Sequence, residues 1–377
     1  MKRRLERVPL PDEHGAEDRA WQTVRAAYEE REPVRWPRRH ARSLALAAAA
    51  VAIVAAAVTP PGKSVVNSVR DVVGRSKVVG VRNAHRELVR LPAAGRLLVN
   101  SARGPWVVQE NGSRRPLGRY RMATWSPHGK FVAAVRNGYE LVALEPNGKV
   151  HWVKPRKQGV ASPRWSYEGY RIAYLSGTSL RVITGDGATD WGLGQADAHV
   201  APAWRPATHE VALVTHDGSV RVMDADKRTV LWTKHAGVDD VRALTWSGDG
   251  ALLLVRGNNS VRTFTARGGL LGASATKGPS VAAAFAPHSH RFALVVGPTV
   301  VIVNGDTLRF ANRPLFTATR RLAGIAWAPD GSWLLVSWPS ADQFVFVRIG
   351  APKLTAVSNI TLQFGPGARV EGWCCTS

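Results

Sequence analysis

The sequence predicts an all-β fold, a seven-bladed β-propeller, preceded by one transmembrane helix and a short helical N-terminal tail. Three observations lead to the propeller. An aromatic residue recurs at a regular interval in one turn context, short strands of alternating character follow each copy, and a partial unit stands at each end of the array. A period of about 40–45 residues with four strands per unit is typical of propeller blades.

The repeated aromatic residue closes the first strand of each unit. Six copies follow one another at nearly equal intervals of about 40 residues, the period of a propeller blade. A seventh stands in the C-terminal stretch PGARVEGWCC. Because one large ring buries about 150–250 Å², we predict that the seven copies pack between blades as architecture. They are Trp125, Trp165, Trp204, Trp246, Phe285, Trp327 and Trp373.

The two ends of the array predict how the ring closes. Residues 95–118 match the second to fourth strands of a unit but lack the first, whereas residues 366–377 match a first strand. Joined, they make one composite blade and remove the open sheet edges that a broken ring would present. We therefore predict one propeller over residues 95–377 with seven blades. A six-bladed ring is the alternative, because weak repeats are easily miscounted.

The turns after the aromatic residues carry a family resemblance. ATWSPHGK and IAWAPDGS resemble the WD40-like repeats of TolB-type bacterial propellers, whose consensus is close to W-S-P-D-G. Residues 220–265 also resemble a WD40 repeat, with Asp224 in the Trp-Asp position and His235 near the Gly-His position. The resemblance covers roughly residues 95–377 and implies a fold much more than a function.

A membrane anchor is predicted before the repeats. Ser43–Val58 contains no charge, Gly or Pro, and with its flanks it nearly spans a hydrocarbon core of about 30 Å. Four arginines precede it, which by the positive-inside rule keeps the N-terminus cytoplasmic: Arg35, Arg38, Arg39 and Arg42. A signal peptide is disfavoured because the segment before the apolar run is far longer than such signals carry, and a buried core helix is the other alternative.

This anchor sets the predicted domain order. Residues 1–42 form a cytoplasmic tail, residues 43–60 span the membrane, and residues 61–94 form a juxtamembrane helix or linker. The propeller then lies outside the cell membrane of a bacterium, an origin suggested by the Arg-rich and Ala-rich composition.

A short amphipathic helix is predicted in the tail. Trp21, Val24 and Tyr28 fall on one face of it and are candidates for docking a cytoplasmic protein. The alternative is a partly folded tail, because so short a helix is marginal in water. Tail, single span and outer domain resemble the plan of membrane-bound anti-sigma factors, although the tail contains no Cys for the zinc motif of many such proteins.

The charge of the chain favours anionic partners. The formal net charge is +23, and residues 1–42 hold 11 basic and 8 acidic residues, so a surplus of 20 lies beyond the tail. A surplus of this size attracts polyanions. Anionic lipid or an acidic envelope polymer fits the predicted location, whereas nucleic acid does not.

No catalytic, cofactor-binding or metal-binding motif is recognisable. The sequence lacks a G-x-S-x-G elbow, a phosphate-binding loop, an EF-hand loop and a zinc motif. His288 and His290 could hold a metal, but their turn position favours a solvated loop. Cys374 and Cys375 are neighbours, and we expect no disulfide between them because the ring would be strained.

We therefore expect a membrane-tethered extracytoplasmic propeller that binds or senses a protein or ligand and relays to a cytoplasmic partner in the manner of an anti-sigma factor. One alternative is an extracytoplasmic enzyme, which a cluster of acidic or His side chains at a channel mouth would favour. The other alternative is a polyanion-binding envelope protein.

Overall fold

The computed structural model describes residues 84–85, 87–88, 90–351 and 353–375. The predicted tail, with its docking candidates Trp21, Val24 and Tyr28, and the predicted anchor lie outside these residues. Within the described part of the chain, no helix is long and apolar enough to cross a membrane.

Seven antiparallel sheets of four strands make up the described fold, and one of them gains a fifth strand. The second strands are almost wholly buried, as in VAAVR over 132–136 and LLLVR over 252–256. Apolar runs of this kind suit a strand that is covered on both faces by neighbouring sheets. The prediction of a seven-bladed propeller is confirmed, and the six-bladed alternative is wrong.

The strands follow one another in a regular order along the chain. They are β1 (Ala84–His85), β2 (Arg96–Ser101), β3 (Gly104–Val108), β4 (Arg114–Pro116), β5 (Arg121–Trp125), β6 (Val132–Arg136), β7 (Glu140–Leu144), β8 (Val150–Pro155), β9 (Ala161–Trp165), β10 (Arg171–Ser176), β11 (Ser179–Thr184), β12 (Asp190–Gln195), β13 (Ala203–Trp204), β14 (Glu210–Val214), β15 (Ser219–Asp224), β16 (Thr229–His235), β17 (Ala243–Trp246), β18 (Leu252–Arg256), β19 (Ser260–Thr265), β20 (Leu270–Ala275), β21 (Ser280–Phe285), β22 (Arg291–Val296), β23 (Thr299–Asn304), β24 (Phe316–Thr317), β25 (Gly324–Trp327), β26 (Trp333–Trp338), β27 (Gln343–Arg348), β28 (Leu354–Val357) and β29 (Arg369–Cys374). Blade 1 consists of β29 and β2–β4, and blades 2 to 7 take β5–β28 four strands at a time.

The C-terminal strand closes the ring. β29 pairs antiparallel with β2, from Cys374 opposite Arg96 to Arg369 opposite Asn100. As the inner strand of blade 1, it also contacts the inner strands of blades 7 and 2, β25 and β5. Blade 1 is therefore built from both ends of the propeller sequence.

Blade 7 has a fifth strand that the sequence did not indicate. β1 pairs in parallel with β28, Ala84 opposite Ala356. The sequence places Ala84 in the linker between anchor and propeller, whereas the structure adds it to the outer edge of blade 7. So short a strand cannot show an alternating pattern.

Two short helices lie near the junction of blades 7 and 1. A 3-10 helix covers Pro339–Ala341, and α1 covers Ile360–Phe364 between β28 and β29. Phe364 is fully buried and its ring lies 5.8 Å from that of Phe344. The connection that leads to the closing strand is thus packed onto blade 7.

The apolar core is divided into seven clusters, one between each pair of neighbouring blades. Each repeated aromatic residue lies in the cluster between its own blade and the preceding one. Trp125 and Phe285 are partly buried there, and the other five are buried. Three of the indoles donate to a carbonyl of the preceding inner strand at 2.9–3.1 Å: Trp204 to Arg164, Trp246 to Ala203 and Trp327 to Ala284.

A second set of tryptophans, which the sequence prediction did not include, lies in the outermost strands. Each indole donates to a backbone oxygen of the following blade at 2.8–2.9 Å: Trp152 to Gly185, Trp191 to Ala225 and Trp232 to Ala266. Their spacing follows the same period as the inner aromatic residues, so the sequence contained the signal. In blade 5 the equivalent position is Gly272, and Leu308 of blade 6 occupies the space.

The propeller has two ends, set by the direction of its strands. One end carries the connections between second and third strands and the connections from each fourth strand to the next blade. We call this the loop end. The opposite end, with the connections between first and second strands and between third and fourth strands, is the turn end. Every inner strand therefore begins at the loop end.

Candidate functional site

Irregular backbone marks the channel mouth at the loop end. In β29, Glu371 is an extra residue between two ladder pairs, Val370 with Val99 and Gly372 with Leu98. Similar register shifts interrupt β5 and β9, where Met122 and Ser162 have φ of +52° and +50°. A bulge redirects the side chain of the extra residue, so the inner strands present selected side chains at this mouth.

A polar cluster joins three blades there. Asn100 Nδ2 donates to Glu371 Oε2 at 3.2 Å and to the Ala123 carbonyl at 3.2 Å. Arg164, two blades away from Glu371, forms an ion pair with it at 3.4 Å across the channel. The buried Asn100 Oδ1 has no hydrogen-bond partner in the described part of the chain. The negative charge of Glu371 is therefore balanced within the protein by Arg164.

Six exposed arginines surround this cluster on blades 7, 1 and 2 and the loops that join them. None of the six forms an ion pair with any of the described residues. We call them the arginine mouth: Arg103, Arg119, Arg121, Arg320, Arg321 and Arg369.

Strand register brings the arginine mouth together from distant parts of the sequence. Arg369 and Arg121 begin the adjacent inner strands β29 and β5. Arg320 and Arg321 lie in the loop just before β25, whose first residue, Gly324, packs beside the Val370 carbonyl.

Arg103 joins the mouth from the β2–β3 turn, where it packs against Gly365. The φ of Gly365 is +105°, and a Cβ at this position would lie 2.7 Å from the Arg103 side chain. Glycine is required at 365 because it allows both this backbone conformation and this close approach.

The inner strands carry few titratable side chains besides arginine. Glu371 is the one carboxylate on the seven inner strands, all of which the structure describes, and these strands carry no His. Among the residues that the structure describes, no group of three or more His, Cys, Asp or Glu side chains could hold a metal ion.

Some charged groups of the turn end, in contrast, form ion pairs that link neighbouring blades. His290 lies between two carboxylates, with Nε2 2.8 Å from Asp249 Oδ2 of blade 5 and Nδ1 2.8 Å from Asp306 Oδ1. Hydrogen bonds to Asp249 and Asp306 outweigh burial and raise the pKa of His290. Against burial, which raises it, hydrogen bonds from Ser247, Ala251 and His290 lower the pKa of Asp249 to about 2.

This arrangement decides between the two interpretations of the His288–His290 turn. His290 is held by two carboxylates as a link between blades 5 and 6. His288 is exposed and has a left-handed backbone, with φ of +55°. The structure therefore pairs His290 with carboxylates and leaves His288 exposed.

The sulfur atoms of the two cysteines lie in contact, whereas the sequence predicted separate thiols. In an extended strand, neighbouring side chains point to opposite faces. Cys375, however, follows the end of β29 with φ of +56°, which breaks that alternation. Both sulfur atoms lie beside the carbonyl of Pro127 in blade 2.

Fold and site together define a seven-bladed β-propeller with a basic, unpaired surface at one channel mouth. No protein-family profile matches the chain, and no curated protein matches it. The fold is similar to that of a chain in the crystal structure of the mitotic checkpoint complex, with a TM-score of 0.57 and 17% sequence identity, over 73% of this chain and 92% of that one. At this identity the likeness shows the fold alone.

Proposed function

We propose that the chain is a membrane-tethered, extracytoplasmic propeller of the TolB-like type that acts as a binding scaffold for an acidic protein. The observation that carries the proposal is the arginine mouth, six exposed arginines without ion pairs to described residues on three adjacent blades. The structural neighbour is part of a protein complex, which supports a protein partner by analogy with its fold.

Arginine side chains are suited to bind acidic groups on a protein. Guanidinium groups match carboxylates through two parallel hydrogen bonds and are more weakly hydrated than ammonium groups, so they suit protein interfaces. A rigid ring holds the arginine-bearing loops in fixed positions, which lowers the entropic cost of binding. Charge complementarity also speeds encounter with an acidic partner.

The test compares two matched triple variants of the full chain in detergent. The first, R119Q/R121Q/R369Q, removes half of the arginine mouth. The control, R267Q/R309Q/R313Q, removes three arginines from the turn end. With a poly-glutamate peptide as the probe, we expect the first variant to bind at least 10-fold more weakly than wild type at about 0.1 M salt, and the control to bind almost as wild type does.

Two results would overturn the proposal. Equal weakening in both variants would mean that net charge, not the arginine mouth, attracts the peptide. Binding to phosphatidylglycerol vesicles but not to poly-glutamate would favour the polyanion-binding alternative instead.

The tether and the tail need separate experiments. A reporter fused after residue 62 should be active outside the cell membrane, and one fused at residue 40 should be active in the cytoplasm; the reverse pattern would refute the topology. If the tail relays to a cytoplasmic protein as an anti-sigma factor does, replacing Trp21, Val24 and Tyr28 by Ala should abolish crosslinking to that protein. Unchanged crosslinking would refute the docking stripe.

A further inference from the structure

In the second strand of every blade, one residue directs its side chain toward the inner strand of the next blade. Strand register defines it as the third residue after the partner of the repeated aromatic, as Arg256 follows Leu253, the partner of Trp246. All seven residues at this position are buried. Four are aliphatic: Val135, Leu175, Val214 and Val295. Three are polar: Asn100, Ser337 and Arg256.

The three polar residues share one structural role. Asn100 donates to the Ala123 carbonyl, Ser337 accepts from the Val370 amide at 3.0 Å, and Arg256 Nη1 donates to the Ser280 carbonyl at 2.6 Å. All three contacts lie where the next inner strand is bulged. A bulge leaves backbone groups without ladder partners. A neutral Asn or Ser satisfies them, so this role does not require the charge of Arg256.

Arg256 has donors that nothing in the described chain uses. The residue is 8% exposed, its Nε is buried without an acceptor, and Nη2 makes no hydrogen bond to a described residue. No described carboxylate forms an ion pair with it. In two other arginines of this protein, a carboxylate accepts hydrogen bonds from both Nε and Nη2. Glu140 accepts from Arg136 at 2.7 and 3.3 Å, and Asp226 accepts from Arg171 at 2.8 and 2.6 Å.

The local electrostatics favour an anion. Burial and the neighbouring Arg242 lower the pKa of Arg256 to about 10, so the side chain is still a cation at neutral pH. A buried charge without a counter-ion is costly. Arg242 adds positive potential, although it pairs with the exposed Asp240.

We infer that the Nε and Nη2 edge of Arg256, between blades 5 and 6 at the loop end, binds an oxyanion. Its fork geometry suits a carboxylate or a phosphate group equally. The oxyanion is either a small free anion or a carboxylate on a docked polypeptide. This site lies on different blades from the arginine mouth, so the proposed function can fail while this inference stands.

The test is anion-dependent thermal stability of the full chain at constant ionic strength. Chloride is replaced by phosphate, by acetate or by poly-glutamate, because a ligand that binds the folded state raises the melting temperature. In the poly-glutamate arm every chain also carries R119Q/R121Q/R369Q, so that the arginine mouth contributes little. The test variants are Arg256→Leu, which copies the aliphatic blades, and Arg256→Asn, which copies blade 1 and keeps a donor for Ser280. The control is Arg136→Leu, which removes an arginine whose edge is already filled.

We expect a saturable rise in wild type and in the control, and at least a 10-fold weaker response in both Arg256 variants. A response to phosphate or acetate would identify a small free anion, and a response to poly-glutamate alone would identify a carboxylate on a polypeptide. The inference is overturned if no anion stabilises wild type, or if the Arg256→Asn variant responds as wild type does.

Discussion

Two of the seven seams between blades differ sharply in what holds them together. The seam between blades 7 and 1 has the largest apolar cluster of the described chain, which includes Trp373, Phe346 and Phe364. The seam between blades 5 and 6 has the smallest. This 5/6 seam has Phe285 in place of the usual tryptophan, Gly272 at the outer tryptophan position of blade 5 and the charged Arg256 at an otherwise aliphatic or neutral position.

The comparison shows where each seam draws its stability. Blade 1 is closed by strands from opposite ends of the propeller sequence, and a large apolar cluster offsets the entropy of bringing them together. The 5/6 seam instead relies on polar links, Arg256 to Ser280 at the loop end and Asp249 to His290 at the turn end. We therefore expect the stability of the 7/1 seam to fall when apolar area is lost. The stability of the 5/6 seam should instead depend on pH and on anions.

Removing the closing strand should have the largest effect. Deleting residues 366–377 takes away β29, exposes the edge of β2 and leaves the ring open. We expect loss of cooperative unfolding or aggregation, measured by scanning calorimetry. Deleting residues 376–377 alone is the control and should leave the transition unchanged. An unchanged melting profile in the longer deletion would show that β29 does not hold the ring.

Truncating the repeated aromatic should separate the two seams. Trp373 is buried, and its indole donates to the Ala94 carbonyl at 3.1 Å, whereas Phe285 is partly buried and has no donor. We expect Trp373→Ala to cost about 3–5 kcal/mol of unfolding free energy, and Phe285→Ala to cost about half as much. Urea denaturation measures both values. If both substitutions lower the unfolding free energy equally, the size of the apolar cluster does not determine how strongly a seam is held.

The smallest effect concerns pH at the 5/6 seam. Because the folded protein raises the pKa of His290, its stabilising contribution is complete below the ordinary His pKa of about 6.5. That contribution is lost as pH rises through the raised value. Relative to His290→Gln, wild type should lose stability, by less than about 1 kcal/mol, when the pH rises from about 6 to 9.

The control for this prediction is His199→Gln, which replaces an exposed histidine outside the seam. It should follow the wild-type profile of melting temperature against pH. If His290→Gln follows that profile as well, the link between Asp249, His290 and Asp306 does not stabilise the seam.

The repeat pattern was sufficient to predict the ring. A rigid aromatic that recurs with a period of about 40 residues is typical of propeller blades, in which each copy packs between two neighbouring blades. The fold, the number of blades and the place of Trp373 could therefore be predicted. The same reasoning overlooked Trp152, Trp191 and Trp232, although they repeat at the same period. Nothing local in the sequence indicated β1, because so short a strand carries no pattern.

The candidate sites, in contrast, depend on tertiary contacts. The arginine mouth gathers residues from 103 to 369, and no sequence window contains them together. Arg256 ends an apolar strand, LLLVR, much as Arg136 ends VAAVR. Strand register places Arg256 in a buried seam and pairs Arg136 with Glu140 at the surface. The repeat predicts the fold because its period can be seen along the chain. The counter-charge of each arginine, in contrast, depends on which strand lies opposite it in the folded protein.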